Sequence, residues 1–236
     1  MEWFQRWFGP LYEELYGHRD ATEARIQVAS LLRRTGTSEL PVLDAGCGAG
    51  RHLEALRASG CRAYGIDLSA HLLSRAVEYG PVVRGDLRVL PFRPSSFGLI
   101  AAFFSVFGYL ETPEDDLKML SGLIDLLSSG GYLYLDLPDP DHVRAHLVPR
   151  DERVEGEVVV VQERWIEGGC VHKRITVRKG GGEAEQYLER VRLWEREVVN
   201  GEVGRMGLSR VALLGGPDGI DWTPGASRLG FVWRRH

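Results

Sequence analysis

A glycine-rich turn between a short apolar run and a helical pattern constrains this chain more than any other feature. Val42 and Leu43 have the character of a buried strand end, and glycines follow at positions 46, 48 and 50. Glycine lets the chain turn sharply and brings the backbone close to a ligand that side chains would keep away. About 20 residues further on, a second strand pattern ends at Asp67, where an acid usually holds a ribose diol. Together these features predict a nucleotide-type cofactor site.

The glycine spacing departs from the dinucleotide fingerprint, in which the start of a helix binds a pyrophosphate. Gly50 comes one position early, and Arg51 stands where the third glycine is expected. Asp44, two residues before the first glycine, is poorly suited to a pyrophosphate but well suited to a ligand that carries an ammonium group. S-adenosylmethionine has that ammonium and a ribose, and it has no phosphate. The residues therefore disfavour the alternative of a nicotinamide oxidoreductase.

Four motifs, in order and spacing, resemble the class I S-adenosylmethionine-dependent methyltransferases over roughly residues 40–136. They are Asp44-Ala45-Gly46-Cys47-Gly48-Ala49-Gly50, Gly65-Ile66-Asp67-Leu68-Ser69, Arg84-Gly85-Asp86-Leu87 and Phe97-Gly98-Leu99-Ile100. The resemblance implies a Rossmann-like α/β fold, with a mostly parallel sheet of about seven strands and helices on both faces. It is specific for the fold and the cofactor, but it does not identify the substrate.

The resemblance also implies which residues hold the cofactor. The backbone of Gly46 and Gly48 would hold the methionine portion, and Asp44 would favour its ammonium group. Asp67 would accept hydrogen bonds from the ribose hydroxyls, and Leu68 would pack on the adenine. The other expected cofactor contacts are Ala45, Arg51, Asp86, Leu87, Phe104, Ser105 and Tyr16.

Strand and helix patterns alternate from residue 40 to residue 136, which is typical of a parallel sheet with crossover helices. The predicted strands are residues 42–45, 63–66, 82–84, 99–103 and 132–135, and the predicted helices are residues 51–59, 70–79 and 114–127. Ligands of such sheets bind at the carboxyl ends of the strands. That rule places five residues along one edge of the sheet, namely Ala45, Asp67, Asp86, Phe104 and Asp136. Residues 195–206 predict a later helix, and residues 208–214 and 228–233 predict a closing antiparallel pair.

The first 35 residues predict a helical lead-in made of two pieces, with a break near Gly17 and His18. Aromatic side chains recur in it every three to four residues, which gives an apolar stripe. In methyltransferases that this chain resembles, such a lead-in folds over the bound cofactor. For Tyr12 and Tyr16, contact with the pocket and plain packing both stay open.

Residues 151–195 predict an antiparallel β insertion after the fifth strand, because apolar and charged residues alternate there and glycines at 168–169 and 180–182 mark turns. In many small-molecule methyltransferases an insertion at this place caps the substrate pocket. A surface or dimer-forming sheet is the equal alternative, so a homodimer stays open. The whole chain, residues 1–236, is expected to form a single methyltransferase domain.

Composition disfavours several classes of partner. The formal net charge of −4 gives no general attraction to nucleic acid, and the longest apolar run is too short for a bilayer. Cys47, Cys61 and Cys170 are odd in number and lack metal-binding spacing, so no metal and a reducing cytoplasm are expected. A structural role is expected for Cys47.

The segment from Phe104 to Tyr109 lacks the D/N-P-P-Y/F/W tetrad of enzymes that methylate exocyclic amines of nucleic-acid bases. Its aromatic-serine-aromatic-glycine pattern is similar to the small-molecule group, which includes amino-sugar N-methyltransferases. We therefore expect methyl transfer to a small molecule, on nitrogen or oxygen. The alternative is an S-adenosylmethionine-binding protein without transfer activity that acts through a partner.

No catalytic residue can be assigned from the sequence. Each histidine is expected at the surface, and His18 and His142 are the two that flank the expected mouth of the pocket. An amine acceptor needs little beyond positioning, so N-methylation is compatible with the lack of an evident base.

Overall fold

The computed structural model describes residues 2–16, 21–36, 39–180, 182–216 and 218–236. The helix break predicted near Gly17 and His18 lies outside the described residues, as do Gly181 and Pro217 of two predicted turns. The helices are α1 Trp3–Trp7, α2 Pro10–Tyr16, α3 Ala21–Thr35, α4 Arg51–Ala58, α5 Ala70–Ala76, α6 Pro113–Asp125, α7 Pro140–His146 and α8 Arg196–Arg205. The strands are β1 Val42–Ala45, β2 Ala63–Asp67, β3 Val82–Arg84, β4 Phe97–Ala102, β5 Leu127–Pro138, β6 Arg150–Glu155, β7 Val158–Glu167, β8 Cys170–Lys179, β9 Glu185–Arg192, β10 Leu208–Leu214 and β11 Arg228–Arg235.

The central sheet has seven strands in the order β10-β11-β5-β4-β1-β2-β3. Strands β1 to β5 run parallel, while β11 pairs antiparallel with both β5 and β10. The strand order reverses between β4 and β1, and in such sheets a ligand crevice opens at the carboxyl ends of the strands beside that point. The predicted α/β class and mostly parallel sheet are confirmed.

Successive residues of the central strands face opposite sides of the sheet, and helices cover both sides. Val42 packs in a cluster with Val28 of α3 and Leu53 of α4. Leu43, its neighbour, packs in another cluster with Leu120 of α6. Strands such as β1 and β4, in which every residue is buried, therefore stabilise both layers at once.

Four antiparallel strands form a separate sheet in the order β6-β7-β8-β9, which confirms the predicted insertion after the fifth strand. One face of this sheet packs on the lead-in rather than on the central sheet. Trp7 of α1 and Leu15 of α2 are buried in one cluster with Val160, Ile175 and Val177. The lead-in and the insertion thus share a core of their own.

Two differences from the prediction change the extent of whole elements. The first piece of the lead-in is two helices, because Pro10 lacks the N–H that a continuous helix would need and starts α2 instead. The helix predicted at residues 114–127 ends at Asp125, and β5 begins at Leu127 rather than at residue 132, so Gly130 and Gly131 lie inside this strand. A Cβ on Gly131 would lie 3.1 Å from the carbonyl oxygen of Gly98, so this glycine permits close pairing with β4.

Helix starts follow the capping rules. The Ser69 hydroxyl accepts a hydrogen bond from the Leu72 N–H at 3.2 Å, and the Thr112 hydroxyl accepts one from the Asp115 N–H at 3.1 Å. No helix in the described part of the chain is long and apolar enough to cross a membrane.

Candidate functional site

The glycine turn after β1 has the left-handed backbone that its composition predicts. Gly46, Gly48 and Gly50 have φ values of 76°, 53° and 91°. The Gly46 and Cys47 N–H groups donate to the Ile66 carbonyl oxygen at 2.8 and 3.0 Å, which ties the turn to β2. A Cβ on Gly46 would come within 2.6 Å of Val106. Close packing, as well as a positive φ, therefore requires glycine here.

Asp67 stands at the end of β2 and holds the same turn. Its Oδ2 accepts the Gly48 N–H and its Oδ1 accepts the Ser69 N–H, both at 2.8 Å. Burial raises the pKa of Asp67, and the hydrogen bonds from Ser69 and Gly48 oppose that rise. The acid predicted to hold a ribose thus also organises the loop beside it.

A cavity of about 400 Å³ opens at this edge of the sheet. The predicted cofactor residues that line it are Tyr16, Gly46, Gly48, Arg51, Asp67, Leu68, Asp86, Leu87, Phe104 and Ser105. Asp44 and Ala45 do not line it and are buried, so any role of theirs is exerted from just behind the wall. The strand-end rule therefore brings most of the predicted residues together.

Asp44 has its carboxylate at the end of a buried strand, which is an unusual position for an acidic side chain. Its side chain is 1% exposed, and its Oδ2 has no hydrogen-bond partner among the described residues. Burial, reinforced by the nearby charge of Asp67, raises the pKa of Asp44 to about 8. A cationic group bound nearby would offset both effects.

Arg51, at the start of α4, also keeps part of its side chain unsatisfied. Its Nη1 lies 3.2 Å from a carboxylate oxygen of Glu23, while its buried Nη2 has no partner within the described chain. An amino acid carries an ammonium and a carboxylate, and Asp44 and Arg51 offer one complementary charge for each. These unpaired atoms fit the methionine end of S-adenosylmethionine.

Asp86 lies at the opposite, adenine end of the predicted site. The sequence predicts that it accepts a hydrogen bond from the adenine amino group. In the structure the Arg88 side chain donates to both carboxylate oxygens, with Nε at 3.0 and 3.1 Å, and lowers the pKa of Asp86. Arg88 also pairs with Glu2, just before α1, at 2.7 Å. An adenine would have to share Asp86 with Arg88. Because Arg88 also pairs with Glu2, it links the cofactor region to the lead-in.

Phe104 and Ser105, after β4, form a strained turn in the cavity wall. Both are non-glycine residues with left-handed backbone, with φ values of 58° and 65°. The guanidinium carbon atoms of Arg51 and Arg228 lie 5.1 and 4.9 Å from the centroid of the Phe104 ring. The Ser105 hydroxyl accepts a hydrogen bond from Arg228 at 2.8 Å. Such strain persists only where the surroundings hold it.

A buried polar network supports that turn, and sequence reasoning missed most of it. Gln27 of α3 donates to the Tyr134 hydroxyl at 3.0 Å and to Asp136 at 3.1 Å. Its Oε1 lies 2.9 Å from Nε2 of His52. The signal for Asp136 was its place at a strand end, but no local pattern marks Gln27 or Arg228, since their partners are distant in the sequence.

The surface location expected for His52 is wrong. The side chain is 5% exposed, and its ring stacks on Phe103 with centroids 4.0 Å apart. Burial and the neighbouring Arg51 lower its pKa well below the usual value, so the ring stays neutral. His142 is exposed and contacts the Gly225 carbonyl oxygen at 3.1 Å, away from the cavity lining, and His18 lies outside the described residues. His142 therefore supplies no base to the described cavity.

The lead-in and the insertion complete the cavity wall. Tyr12 and Tyr16 both line it, as do Tyr109 and the insertion residues Lys173 and Glu189. Phe107, in the segment after β4, is buried and stacks on Trp194, with ring centroids 5.1 Å apart. Within the part of the chain that the structure describes, no group of three or more His, Cys, Asp or Glu could hold a metal ion.

Comparison with known proteins agrees with this geometry. Residues 42–131, which include the glycine turn, Asp67 and Asp86, match the family model described as a methyltransferase domain. Over those residues the predicted resemblance to a methyltransferase is confirmed, and the matched part includes the predicted loop and both strand-end acids.

One curated relative is the dTDP-3-amino-3,4,6-trideoxy-alpha-D-glucopyranose N,N-dimethyltransferase of Streptomyces venezuelae. It is 28% identical over 150 residues, which are 59% of this chain and 62% of that relative. The chain thus matches a little under two thirds of the length of that relative.

Two solved structures share the fold over nearly their whole length. The CcbJ methyltransferase from Streptomyces caelestis has a TM-score of 0.82 at 16% identity, covering 97% of this chain and 98% of that one. An amino pentose methyltransferase from Micromonospora echinaspora, solved with S-adenosylmethionine bound, has a TM-score of 0.71 at 21% identity, covering 96% and 97%. At these identities the likeness establishes the fold of this chain.

Proposed function

We propose that this chain transfers the methyl group of S-adenosylmethionine to a nitrogen atom of a small, sugar-like molecule. The observation that carries the cofactor half of the proposal is the buried Oδ2 of Asp44 beside the glycine turn, which has no hydrogen-bond partner among the described residues. The acceptor half draws support from the curated relative, whose name describes N,N-dimethylation of an amino sugar nucleotide.

Each predicted contact has a role in this proposal. Asp44 attracts the ammonium of the methionine portion, directly or through water, and Arg51 attracts its carboxylate. Gly46 and Gly48 let the backbone approach, with Ala45 preceding them on β1. Phe104 and Ser105 border the same portion from the next strand. The remaining contacts are Asp67 at the ribose, Leu68, Asp86 and Leu87 at the adenine, and Tyr16 as part of the cover.

The chemistry asks little of the protein beyond alignment and the exclusion of water. When bound, S-adenosylmethionine supplies a methyl group already activated on a sulfonium. The strained turn at Phe104 and Ser105 fixes one wall of the reaction space, and the aromatic lead-in covers it. No described histidine is needed, because a neutral amine already carries the lone pair that attacks.

In this proposal the whole chain, residues 1–236, works as one catalytic unit. The lead-in, residues 1–35, lies over the cofactor, and the insertion, residues 151–195, caps the acceptor. The shared core of Trp7, Leu15 and Ile175 supports the cap, because it places the insertion against the lead-in at the cavity. A homodimer through the outer face of the insertion is compatible with this arrangement.

A labelled-methyl assay tests the function. Pure protein would be incubated with S-adenosylmethionine carrying a labelled methyl group and with amino sugars, free and nucleotide-linked, each paired with its hydroxyl counterpart. Label on an amine but not on its counterpart is the expected result. Label on the hydroxyl sugars instead would indicate O-methylation. Tight S-adenosylhomocysteine binding with no labelled product would favour a binding protein without transfer activity.

A further inference from the structure

The cavity has a charged wall that does not belong to the central sheet. Strands β8 and β9 place Lys173 directly opposite Glu189, and their side chains form an ion pair. Each of the two side chains is 18% exposed, and both line the cavity. The insertion thus presents a cation and an anion side by side to the space beside the cofactor loop.

The pair lies on the face of the sheet that also packs on the lead-in. Ile175 and Val177, the next residues of β8 on that face, are buried against the lead-in. On the other side Val171 is paired with Val191. An ion pair that loses most of its water stabilises a fold no more than apolar side chains of similar size would. The fold therefore does not require the two residues at this point of the cavity wall to be charged.

Tyr16 extends the charged wall from the lead-in. Its hydroxyl oxygen lies 3.5 Å from Nζ of Lys173, and its ring centroid lies 5.4 Å from the same atom. Lys173 is thus held by a carboxylate on one side and by an aromatic ring and hydroxyl on the other. The wall offers an acceptor of N–H groups at Glu189 and a donor to oxygen at Lys173, within a few ångströms of each other.

We propose that Glu189 and Lys173 are the acceptor-binding pair of this methyltransferase, an inference that rests on the transfer proposed above. The Glu189 carboxylate accepts hydrogen bonds from the N–H groups of the acceptor amine, and Lys173 donates to an oxygen on a neighbouring carbon. The acceptor class is therefore an amino alcohol, as in an amino sugar with a hydroxyl beside its amine.

Such binding leaves the nitrogen lone pair to point away from Glu189. The lone pair forms the new carbon–nitrogen bond with the methyl carbon, and the carbon–sulfur bond breaks with its electron pair left on sulfur. The products are S-adenosylhomocysteine and a methylated ammonium, whose extra proton then passes to water. Glu189 binds the amine and orients it, and the step consumes no further reagent.

Calorimetric titration of the S-adenosylhomocysteine complex tests the pair without turnover. The probes are 2-, 3- and 4-amino hexoses, free and nucleotide-linked, and their hydroxyl counterparts. Wild-type protein is expected to bind at least one amine more tightly than its counterpart. Glu189→Gln should weaken that binding by about tenfold or more, because it removes a charge-assisted hydrogen bond. S-adenosylhomocysteine affinity should change less than about twofold, because the cofactor contacts remain.

A charge exchange separates recognition from folding. K173E/E189K keeps an ion pair across the same two strands but reverses the charges that meet the acceptor. We expect it to retain the melting temperature and to bind the amine as weakly as Glu189→Gln. Glu163→Gln is the matched control, because Glu163 and Arg174 form an exposed pair on the same sheet, 48% and 44% exposed for Arg174 and Glu163. It should bind the amine like wild type.

Three results would overturn the pair: wild-type protein that binds no amine, Glu189→Gln that binds as wild type does, or the exchanged variant that regains full binding. The labelled-methyl assay then judges the proposed function separately. An amine that needs Glu189 to bind yet never receives label would defeat methyl transfer and leave the binding pair standing.

Discussion

Asp136 holds Phe104 in a backbone conformation that phenylalanine rarely adopts. Its Oδ2 accepts the Phe104 N–H at 3.0 Å, and its carbonyl oxygen accepts the Ser105 N–H at 2.9 Å. The left-handed region costs roughly 1–2 kcal/mol per non-glycine residue. Asp136 in turn accepts from Arg228 Nε at 2.5 Å. The end of β5, the strained turn and the start of β11 therefore all depend on one buried carboxylate.

Replacement of that carboxylate should destabilise the protein and disturb the site together. Asp136→Asn leaves Arg228 without its charge partner, and we expect the free energy of unfolding to fall by about 3 kcal/mol. Urea denaturation measures that loss, and calorimetry should show weaker S-adenosylhomocysteine binding. The D136N/R228M double variant should lose less stability than the sum of the two single variants. If the stability losses of the two single variants add up to the loss of the double variant, the ion pair does not hold the turn.

The ribose assignment of Asp67 predicts a defined loss of affinity. Asp67→Ala should weaken S-adenosylhomocysteine binding by roughly 1.5–3 kcal/mol, through lost charge-assisted hydrogen bonds. Because Asp67 also accepts the Gly48 N–H at 2.8 Å, part of the loss will come from the loop. Isothermal calorimetry gives the value, with circular dichroism as the check on folding. An unchanged dissociation constant in a folded variant would refute the assignment.

Asp44 predicts that cofactor affinity depends on pH. Its pKa is raised to about 8 by burial, so near neutral pH the empty protein carries this group mostly protonated. The ammonium of S-adenosylhomocysteine favours the ionised form. We therefore expect affinity to rise roughly 10- to 30-fold between about pH 6.5 and 8.5. Asp44→Asn removes the titration, so its weaker binding should vary little over that range. A wild-type affinity that is flat with pH contradicts the assignment.

The same shift has a consequence for the empty protein. A carboxyl whose folded pKa lies above its unfolded value of 3.8 binds protons preferentially in the folded state. Its contribution to stability is present at acidic pH and is lost as pH rises through the window from about 4 to 8. Thermal unfolding of Asp44→Asn without ligand should therefore show a smaller loss of stability across that window than wild type does.

A comparison of Gly50 with Gly60 separates the stability cost of backbone strain from the cost of a steric clash. A Cβ on Gly50, with φ of 91°, would lie 2.9 Å from both the Ala76 Cα and the Tyr79 ring, whereas one on Gly60, with φ of 84°, would meet nothing within 4 Å. Gly60→Ala should cost about 1 kcal/mol. Gly50→Ala should cost about 1–3 kcal/mol more because α5 has to move. Equal denaturation midpoints for the two variants would mean that α5 yields freely.

Local patterns were enough to predict the central sheet and the cofactor loop. The glycines of the turn, the acids at positions 44 and 67 and the apolar strands beside them act over short stretches of chain. A positive φ favours glycine at a position irrespective of how the rest of the chain folds. The carboxyl ends of parallel strands likewise lie at the ligand-binding edge of such a sheet, irrespective of which side chains surround them. Strand boundaries were predicted less well, since β5 begins at Leu127 and includes Gly131, whereas the predicted strand begins at residue 132.

The tertiary structure decided which distant side chains support and complete the site. Gln27 meets Asp136 across 109 positions and Tyr16 meets Lys173 across 157. The burial of His52 and the charged wall at Glu189 likewise depend on which helix or strand lies opposite. Sequence periodicity reports which face of an element is apolar, but the partner of a buried polar atom is set by how the elements pack together. That is why the sequence alone determined the fold and the loop, whereas the supporting network and the charged wall required the folded chain.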